Sequence, residues 1–269
     1  MRINSIEKTN MTFEFDADKY IQASSHQRQW GSKLIQQLNL KGNERILDLG
    51  CGDGEITAQL AKLIPDGSVT GIDSSKNMIV SAKKYHDFDN IKFLLMDIND
   101  MDFNDEFDVI FSNAALHWVI DHNKLLAKVH KSLRNEGTLF FNFAADGNCT
   151  NFLKVIRRAI VEEKYEKYFR DFNWPWYMPT VNEYRKILNQ AYFSIADVRT
   201  ENADKYFTNQ EEMIKWIDQP SLVPFLKFVE IHDKRAFRDY VIEHMIIETS
   251  QPDGTYFENF QRINVFAKK

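Results

Sequence analysis

Cysteine is scarce in this chain of 269 residues: Cys51 and Cys149 are the only two, and they lie far apart. So few thiols argue against a disulfide framework and against a metal site, and they fit a reducing compartment. No stretch approaches the roughly 18 consecutive apolar residues that a membrane span needs. The start, Met1-Arg2-Ile3-Asn4, lacks the apolar region of a secretory signal, so the cytoplasm is the expected location. Positive charge is not in excess either. A formal net charge of −5 works against the broad positive field that nucleic acid or an anionic membrane surface requires. A small molecule is therefore the expected partner. Internal repeats and low-complexity segments are absent, and the length suits one large α/β core with a cap rather than two full domains.

What is present begins with alternation. Apolar residues Trp30, Leu34, Ile35 and Leu38 share one face of a helix predicted over 26–40, with Gly42 as a stop. Strands then alternate with helices: 45–49, helix 55–63, 68–72, helix 76–85, 91–95, 107–111, helix 124–133 and 137–143. Such a sequence reads as a parallel, doubly wound sheet. Beyond Asp146 the alternation breaks down. A helix-like stretch over 152–168 leads to the aromatic segment Phe172-Asn173-Trp174-Pro175-Trp176-Tyr177-Met178-Pro179, whose prolines forbid a regular helix. Helix 181–190, strand 193–198 and a last strand 259–267 follow, and helices 210–217, 222–229 and 234–248 read as a cap on the ligand edge of the sheet.

The segment richest in chemistry is Asp48-Leu49-Gly50-Cys51-Gly52-Asp53-Gly54, which leaves a buried strand and opens a helix. Glycine suits such a turn because it reaches φ angles that strain other residues and lets a ligand approach the backbone. Val69-Thr70-Gly71-Ile72-Asp73 is a second strand ending in an acid, about 20 residues on, where a carboxylate can accept both hydroxyls of a ribose. The turn reads Gly-x-Gly-x-Gly and Glu55 follows it. That negative charge would repel the pyrophosphate of a dinucleotide but not the ammonium and sulfonium of S-adenosylmethionine, so a dehydrogenase reading is weakened. Asp48 offers a second carboxylate to the ammonium, directly or through water.

With these segments quoted, the chain resembles the class I S-adenosylmethionine-dependent methyltransferases of the trans-aconitate and juvenile-hormone-acid type. Asp48–Gly54 is similar to their first motif, Gly71-Ile72-Asp73-Ser74-Ser75 with Met78 to the second, Met96-Asp97-Ile98 to the third, and Ser112-Asn113-Ala114-Ala115-Leu116-His117-Trp118 to the fourth. The resemblance implies a Rossmann-like, mostly parallel seven-stranded sheet with an α-helical cap. Within one domain, residues 1–145 would carry a lid helix and the cofactor site, and 146–269 the remaining strands and the cap.

The resemblance also implies that S-adenosylmethionine is held by Asp48, Gly50, Cys51, Gly52, Asp73, Ser74, Met78, Asp97, Ile98, Asn113 and Ala114, with Tyr20 and Gln27, near Ser24, clasping it from the lid. Plainer roles stay open beside these. Asp73 can cap a helix, Met78 can face the core, Asp97 can start a loop, and Cys51 can fill a small slot.

His117 and Trp118 follow the fourth strand at its carboxyl end, where open α/β sheets bind ligands, and are the candidate catalytic pair. Asn113-Ala114-Ala115-Leu116 lacks the prolines and aromatic ring that amine methyltransferases carry here. Relatives that take a small polycarboxylate have an arginine where this chain has Val223, which favours a more apolar acid. Trp176 and Phe225 are candidate acceptor contacts, and Arg262, with Arg157 and Arg158 behind it, a candidate carboxylate partner. No base constellation is evident, which suits methyl-ester formation on a carboxylate already ionised near neutral pH. The alternatives are methylation of a carbon or hydroxyl on an aromatic or isoprenoid compound, with His117 as base, and a non-catalytic module that only binds the cofactor.

Overall fold

The computed structural model describes residues 25–269, the side chains of residues 25–27, 196 and 220 excepted. Seven strands form one sheet in the order β3-β2-β1-β4-β5-β9-β6. They are β1 (Arg45–Leu49), β2 (Ser68–Asp73), β3 (Ile91–Leu95), β4 (Phe107–Asn113), β5 (Leu133–Ala144), β6 (Ser194–Asn202) and β9 (Gln261–Lys268). Strand β9 runs antiparallel to both neighbours, β5 and β6, while the pairs among β1 to β5 are parallel. The expected mostly parallel, seven-stranded sheet is therefore present.

Strand β1 shows why helices cover both faces. Side chains alternate across a strand. Ile46 packs with Leu34 and Ile35 of α1 (Ser25–Ile35) and Leu60 of α2 (Glu55–Leu63), all buried together. Leu47 and Leu49 join the opposite core with Leu126 of α4 (His122–Ser132) and Tyr184 of α6 (Val181–Gln190). Helix α3 (Lys76–Tyr85) follows β2 and is capped by Ser75. Thr180 and Glu183 form a reciprocal capping box that fixes where α6 begins.

The chain turns one way from β1 to β2 and β3, and the other way from β4 to β5. The switch point therefore lies between the carboxyl ends of β1 and β4, the usual ligand crevice of open α/β sheets. Ser112 Oγ donates to the Leu49 carbonyl at 2.7 Å and stitches the two strand ends together there.

The cap has its own core. Phe152 of α5 (Thr150–Ala159), Met213 and Trp216 of α7 (Gln210–Trp216), Phe225 of α8 (Val223–Leu226) and Phe237 of α9 (Lys234–Thr249) are buried against one another. Here the structure departs from the periodicity. The helix expected over 152–168 stops at Ala159, and the bend lets both Tyr165 and Phe169 reach the Phe237 ring, at 4.9 and 5.5 Å. The helix expected over 222–229 shrinks to four residues with Pro224 in its first turn, after a π-helical turn Ile217–Ser221. A two-stranded ribbon, β7 (Lys205–Phe207) with β8 (Tyr256–Glu258), is too short to have shown alternation.

Candidate active site

The glycine turn after β1 is laced to the end of β2. The N–H groups of Gly50 and Cys51 both donate to the Ile72 carbonyl, at 2.9 and 3.0 Å. Gly52 N–H donates to Asp73 Oδ2 at 3.0 Å, while Asp73 Oδ1 accepts from Ser75 N–H at 2.8 Å. One carboxylate thus ties the turn to the start of α3, so the capping and ribose-binding roles expected of Asp73 are compatible: each oxygen has a second lone pair.

The three glycines serve different needs. All have positive φ, 73° at Gly50, 55° at Gly52 and 83° at Gly54. A Cβ on Gly50 would lie 2.2 Å from the Ala115 methyl, and one on Gly54 would lie 2.7 Å from the Phe93 ring. Those two positions are held small by the protein itself. A Cβ on Gly52 meets no described residue within 4 Å, so among the described residues this is the position where open space stands over the turn.

Third- and fourth-motif residues gather at the same edge. Ile98 and Ala115 both border Gly50. Asp97 Oδ1 accepts from the Asn99 backbone N–H at 2.8 Å and caps a short 3-10 turn, as its plainer reading had it. Asn113 ends β4, and Ala114 carries a φ of 57°, its N–H held by the Asn142 carbonyl at 2.7 Å. Met78 and Cys51 are buried, and Ser74 is half-buried beside Asp73.

Asp48 differs from expectation. It is enclosed rather than displayed on a rim, its Oδ2 accepting from Thr57 Oγ1 of α2 at 2.7 Å. Burial pushes its carboxyl up to about 7. Tyr20, Ser24 and the side chain of Gln27 lie outside the described residues.

A cavity of about 60 Å³, room for a carboxylate-sized head group, opens beside Ala114. Its walls are aromatic: Trp30, Trp118, Phe152, Trp176, Trp216 and Phe260. His117, Asn148, Ser221 and Arg262 supply polar groups, and Ala114 and Cys149, both at positive φ, also line it, with Ala144 and Met178. Two buried polar atoms here, His117 Nδ1 and Trp176 Nε1, make no hydrogen bond among the described residues. Burial, with Arg262 nearby, holds the His117 imidazole well below its ordinary pKa and so neutral.

The Leu116–Trp118 turn is itself anchored. His122 is buried with Nε2 3.0 Å from the Leu116 carbonyl and Nδ1 3.1 Å from the Tyr184 hydroxyl. A carbonyl only accepts, so Nε2 carries the proton and Nδ1 accepts from the hydroxyl. Burial lowers this histidine to a pKa of about 4, which keeps that tautomer across neutral pH.

Arg262 is 3% exposed, and its guanidinium lies 4.4 Å from the Trp30 ring centroid. His117, Trp118, Trp176 and Arg262, predicted from three separate segments, are therefore brought to one cavity. Phe225 is not. It is fully buried behind Trp176, ring centroids 5.6 Å apart, because the short α8 turns it into the cap core. Arg157 stacks on Trp174, and Arg158 pairs with Glu248 on the outside of the cap. Sequence reasoning missed Trp30, Phe152, Trp216 and Phe260 as cavity walls: Trp30 read as the buried face of a helix, Phe152 and Trp216 as parts of helices, and Phe260 as part of the last strand. It also missed Asn142 and Asn264, although an amide inside a run such as Phe140-Phe141-Asn142-Phe143 is itself a signal.

Residues 40–221 match a family model described as a methyltransferase domain. An uncharacterized methyltransferase of Schizosaccharomyces pombe is 27% identical over 242 residues, 88% of this chain and 90% of its own length. The trans-aconitate 2-methyltransferase of Mycobacterium tuberculosis is 26% identical over 94% of this chain and 96% of its own. The malonyl-[acyl-carrier protein] O-methyltransferase of Bacillus cytotoxicus is 36% identical over 60% of this chain and 58% of its own. Among solved structures, the YcgJ protein of Bacillus subtilis superposes with a TM-score of 0.62 at 15% identity, covering 90% of this chain and 98% of its own. A Haemonchus contortus phosphoethanolamine N-methyltransferase 2 in complex with S-adenosyl-L-methionine gives 0.59 at 18% identity, covering 94% and 56%. These two likenesses concern the fold. The family match spans more than half of the chain, which belongs to the methyltransferase-domain family and is an S-adenosylmethionine-dependent methyltransferase.

Proposed function

We propose that this methyltransferase converts the carboxylate of a small, largely apolar acid into its methyl ester in the cytoplasm, within a single domain whose 1–145 part holds the cofactor and whose 146–269 part caps the acceptor. The observation that carries the reading is Arg262, a buried guanidinium on the wall of a cavity lined largely by aromatic rings. A fixed cation of this kind suits a carboxylate, and the surrounding rings suit an apolar body. Two relatives bear names that point to acids, trans-aconitate and the malonyl group of an acyl carrier.

The residues at the switch point fit the cofactor. The space over Gly52 leaves room for it, Asp73 has lone pairs for ribose hydroxyls, and Ile98 with Met78 offers apolar contact for the adenine. Asp48, Gly50, Cys51, Ser74, Asp97, Asn113 and Ala114 complete the cradle in this reading. When bound, the cofactor supplies a methyl group on a positively charged sulfur, which leaves by in-line displacement.

The chain's own task is alignment and exclusion of water. A carboxylate is already ionised near neutrality, with an unperturbed pKa of about 4, so no proton has to be removed. Arg262 orients it, and Trp118 and Trp176 close the cavity around its body. The unbonded Nδ1 of His117 favours a second reading, in which a neutral imidazole takes a proton from a hydroxyl or carbon acceptor.

Isotopically methyl-labelled cofactor, incubated with the enzyme and a metabolite extract, separates the two. A methyl ester releases labelled methanol on mild alkaline hydrolysis, which is the expected result. Label that survives alkali is on carbon or in an ether and would replace the ester reading with the second one.

A further inference from the structure

His122 is the first residue of α4, directly after its cap Asp121, and is buried although it is not among the residues that line the acceptor cavity. A side chain that only filled the core at this point would need no polar atom. This one uses both of its own: Nε2–H donates to the Leu116 carbonyl at 3.0 Å, and Nδ1 accepts from the Tyr184 hydroxyl of α6 at 3.1 Å. Leu116 and Tyr184 are fully buried, so neither group has water to fall back on if the imidazole is lost. Two hydrogen bonds at opposite corners of the ring also fix its plane, and that plane is packed by Phe143, Tyr177 and Tyr184 with centroids 5.3, 4.5 and 5.4 Å away.

Two of these contacts lead to different walls of the cavity. The Leu116 carbonyl opens the turn that carries His117 and Trp118. Tyr177, whose ring lies nearest to the imidazole, stands between Trp176 and Met178, which line the cavity from the aromatic segment after α5. A third link closes the loop, because Tyr177 N–H donates to the His117 carbonyl at 2.8 Å. The turn and the aromatic segment come from parts of the chain some 60 residues apart, and they meet inside the cavity where the Trp118 and Trp176 rings lie edge to face, 5.6 Å between centroids. His122 touches both walls from behind.

We infer that His122 is a positioning residue for the acceptor: from outside the cavity it holds the Leu116–Trp118 turn and the Trp176–Met178 segment against each other and so sets the gap that admits the methyl acceptor. The inference rests on the reading that this cavity takes the acceptor, whichever atom is methylated. Its reach is limited to that side of the site, since the cofactor turn at Gly50–Gly52 is laced to Ile72 and Asp73 instead.

The test reads the walls and the acceptor separately. Protein made with 5-fluorotryptophan gives fluorine resonances for its five tryptophans, and Trp118→Phe and Trp176→Phe assign the two that matter. Transfer from methyl-labelled cofactor to a metabolite extract, followed across dilutions of that extract, gives a half-saturating extract concentration and a plateau rate. Tyr177→Leu, at a half-buried side chain whose backbone N–H is kept, removes only the ring contact. His122→Leu removes the hydrogen bonds as well. Each should shift both resonances and raise the half-saturating concentration by about fivefold or more, the scale of a lost ring pair, with the plateau rate and S-adenosylhomocysteine affinity within about twofold of wild type. His122→Gln keeps an N–H for the Leu116 carbonyl and should recover part of the loss. A merely structural role would lower the active fraction and with it the plateau, leaving half-saturation where it was. If the two resonances stay in place in Tyr177→Leu, His122 does not set the walls, and the inference is overturned while the acceptor reading of the cavity stands. If they move and half-saturation does not, the acceptor binds elsewhere, and the reading beneath the inference falls with it.

Discussion

Adding one methyl group at Gly52 or at Gly50 separates ligand space from packing space. Both residues have positive φ, so alanine at either position carries the strain of a left-handed L-residue, roughly 1–2 kcal/mol. At Gly50 the new Cβ would also lie 2.2 Å from the Ala115 Cβ, and relieving that overlap adds about 1–3 kcal/mol of overpacking. Gly50→Ala should therefore lose about 2–5 kcal/mol of stability and Gly52→Ala only about 1–2. Cofactor binding should rank them differently. The methyl at Gly52 meets no atom of the described residues within 4 Å and intrudes on the space assigned to the cofactor. Comparable overpacking against the ligand, about 1–3 kcal/mol, corresponds to a loss of about fivefold to 150-fold in affinity. Urea unfolding gives the first quantity, and calorimetric titration with S-adenosylhomocysteine gives the second. A Gly52→Ala protein that binds S-adenosylhomocysteine within twofold of wild type would refute the placement of the cofactor over this turn.

Other perturbations probe neighbouring groups. Asp73→Ala should weaken S-adenosylhomocysteine binding by about 1.5–3 kcal/mol, the worth of charge-assisted hydrogen bonds, and should cost some stability through the lost bonds to Gly52 and Ser75; unchanged calorimetric affinity would remove the ribose role. Asp48 has a folded-state pKa of about 7 against an ordinary 3.8, so the native state holds its proton more tightly, and stability falls as pH rises from about 4 to about 7. Asp48→Asn should gain on wild type across that interval by at most about 4 kcal/mol, at roughly 1.4 kcal/mol per unit; urea midpoints that differ equally at pH 4.5 and pH 8 would contradict it. His117 is held neutral well below pH 6.5, so with the acceptor in hand the rate should be flat through neutrality, and His117→Gln should retain most of it. A wild-type activity that this variant loses would indicate a histidine base.

Much of the architecture was legible because it rests on local rules. Ile46 against Leu47 and Leu49 already separates two faces of β1, and Thr180 with Glu183 marks the start of α6 at the position the periodicity gave. The cap was harder. Tyr165 falls inside the helix expected over 152–168, yet the helix ends at Ala159 and Tyr165 and Phe169 pack their rings on Phe237, a contact remote in sequence. Phe225 illustrates the same limit: an aromatic residue in a cap segment reads equally well as ligand contact or as core, and only the packing of α8 behind Trp176 makes it core.

The sequence by itself determined the strand-turn-helix at Asp48–Gly54, the acid at Asp73, the order of strands and helices through Phe143, and the residue types needed for methyl transfer. These depend on neighbours within a few positions, on φ freedom, side-chain period and capping. Only the tertiary structure decided which glycine faces open space, that Asp48 is enclosed against Thr57, and that Trp30, His117, Trp176 and Arg262 share one cavity. It also decided what holds Arg262. That guanidinium donates to Asn142 of β5, 120 residues away in sequence, and lies over the Trp30 ring of α1. Strand register across a seven-stranded sheet sets those meetings, and register is a property of the whole folded chain rather than of any one segment.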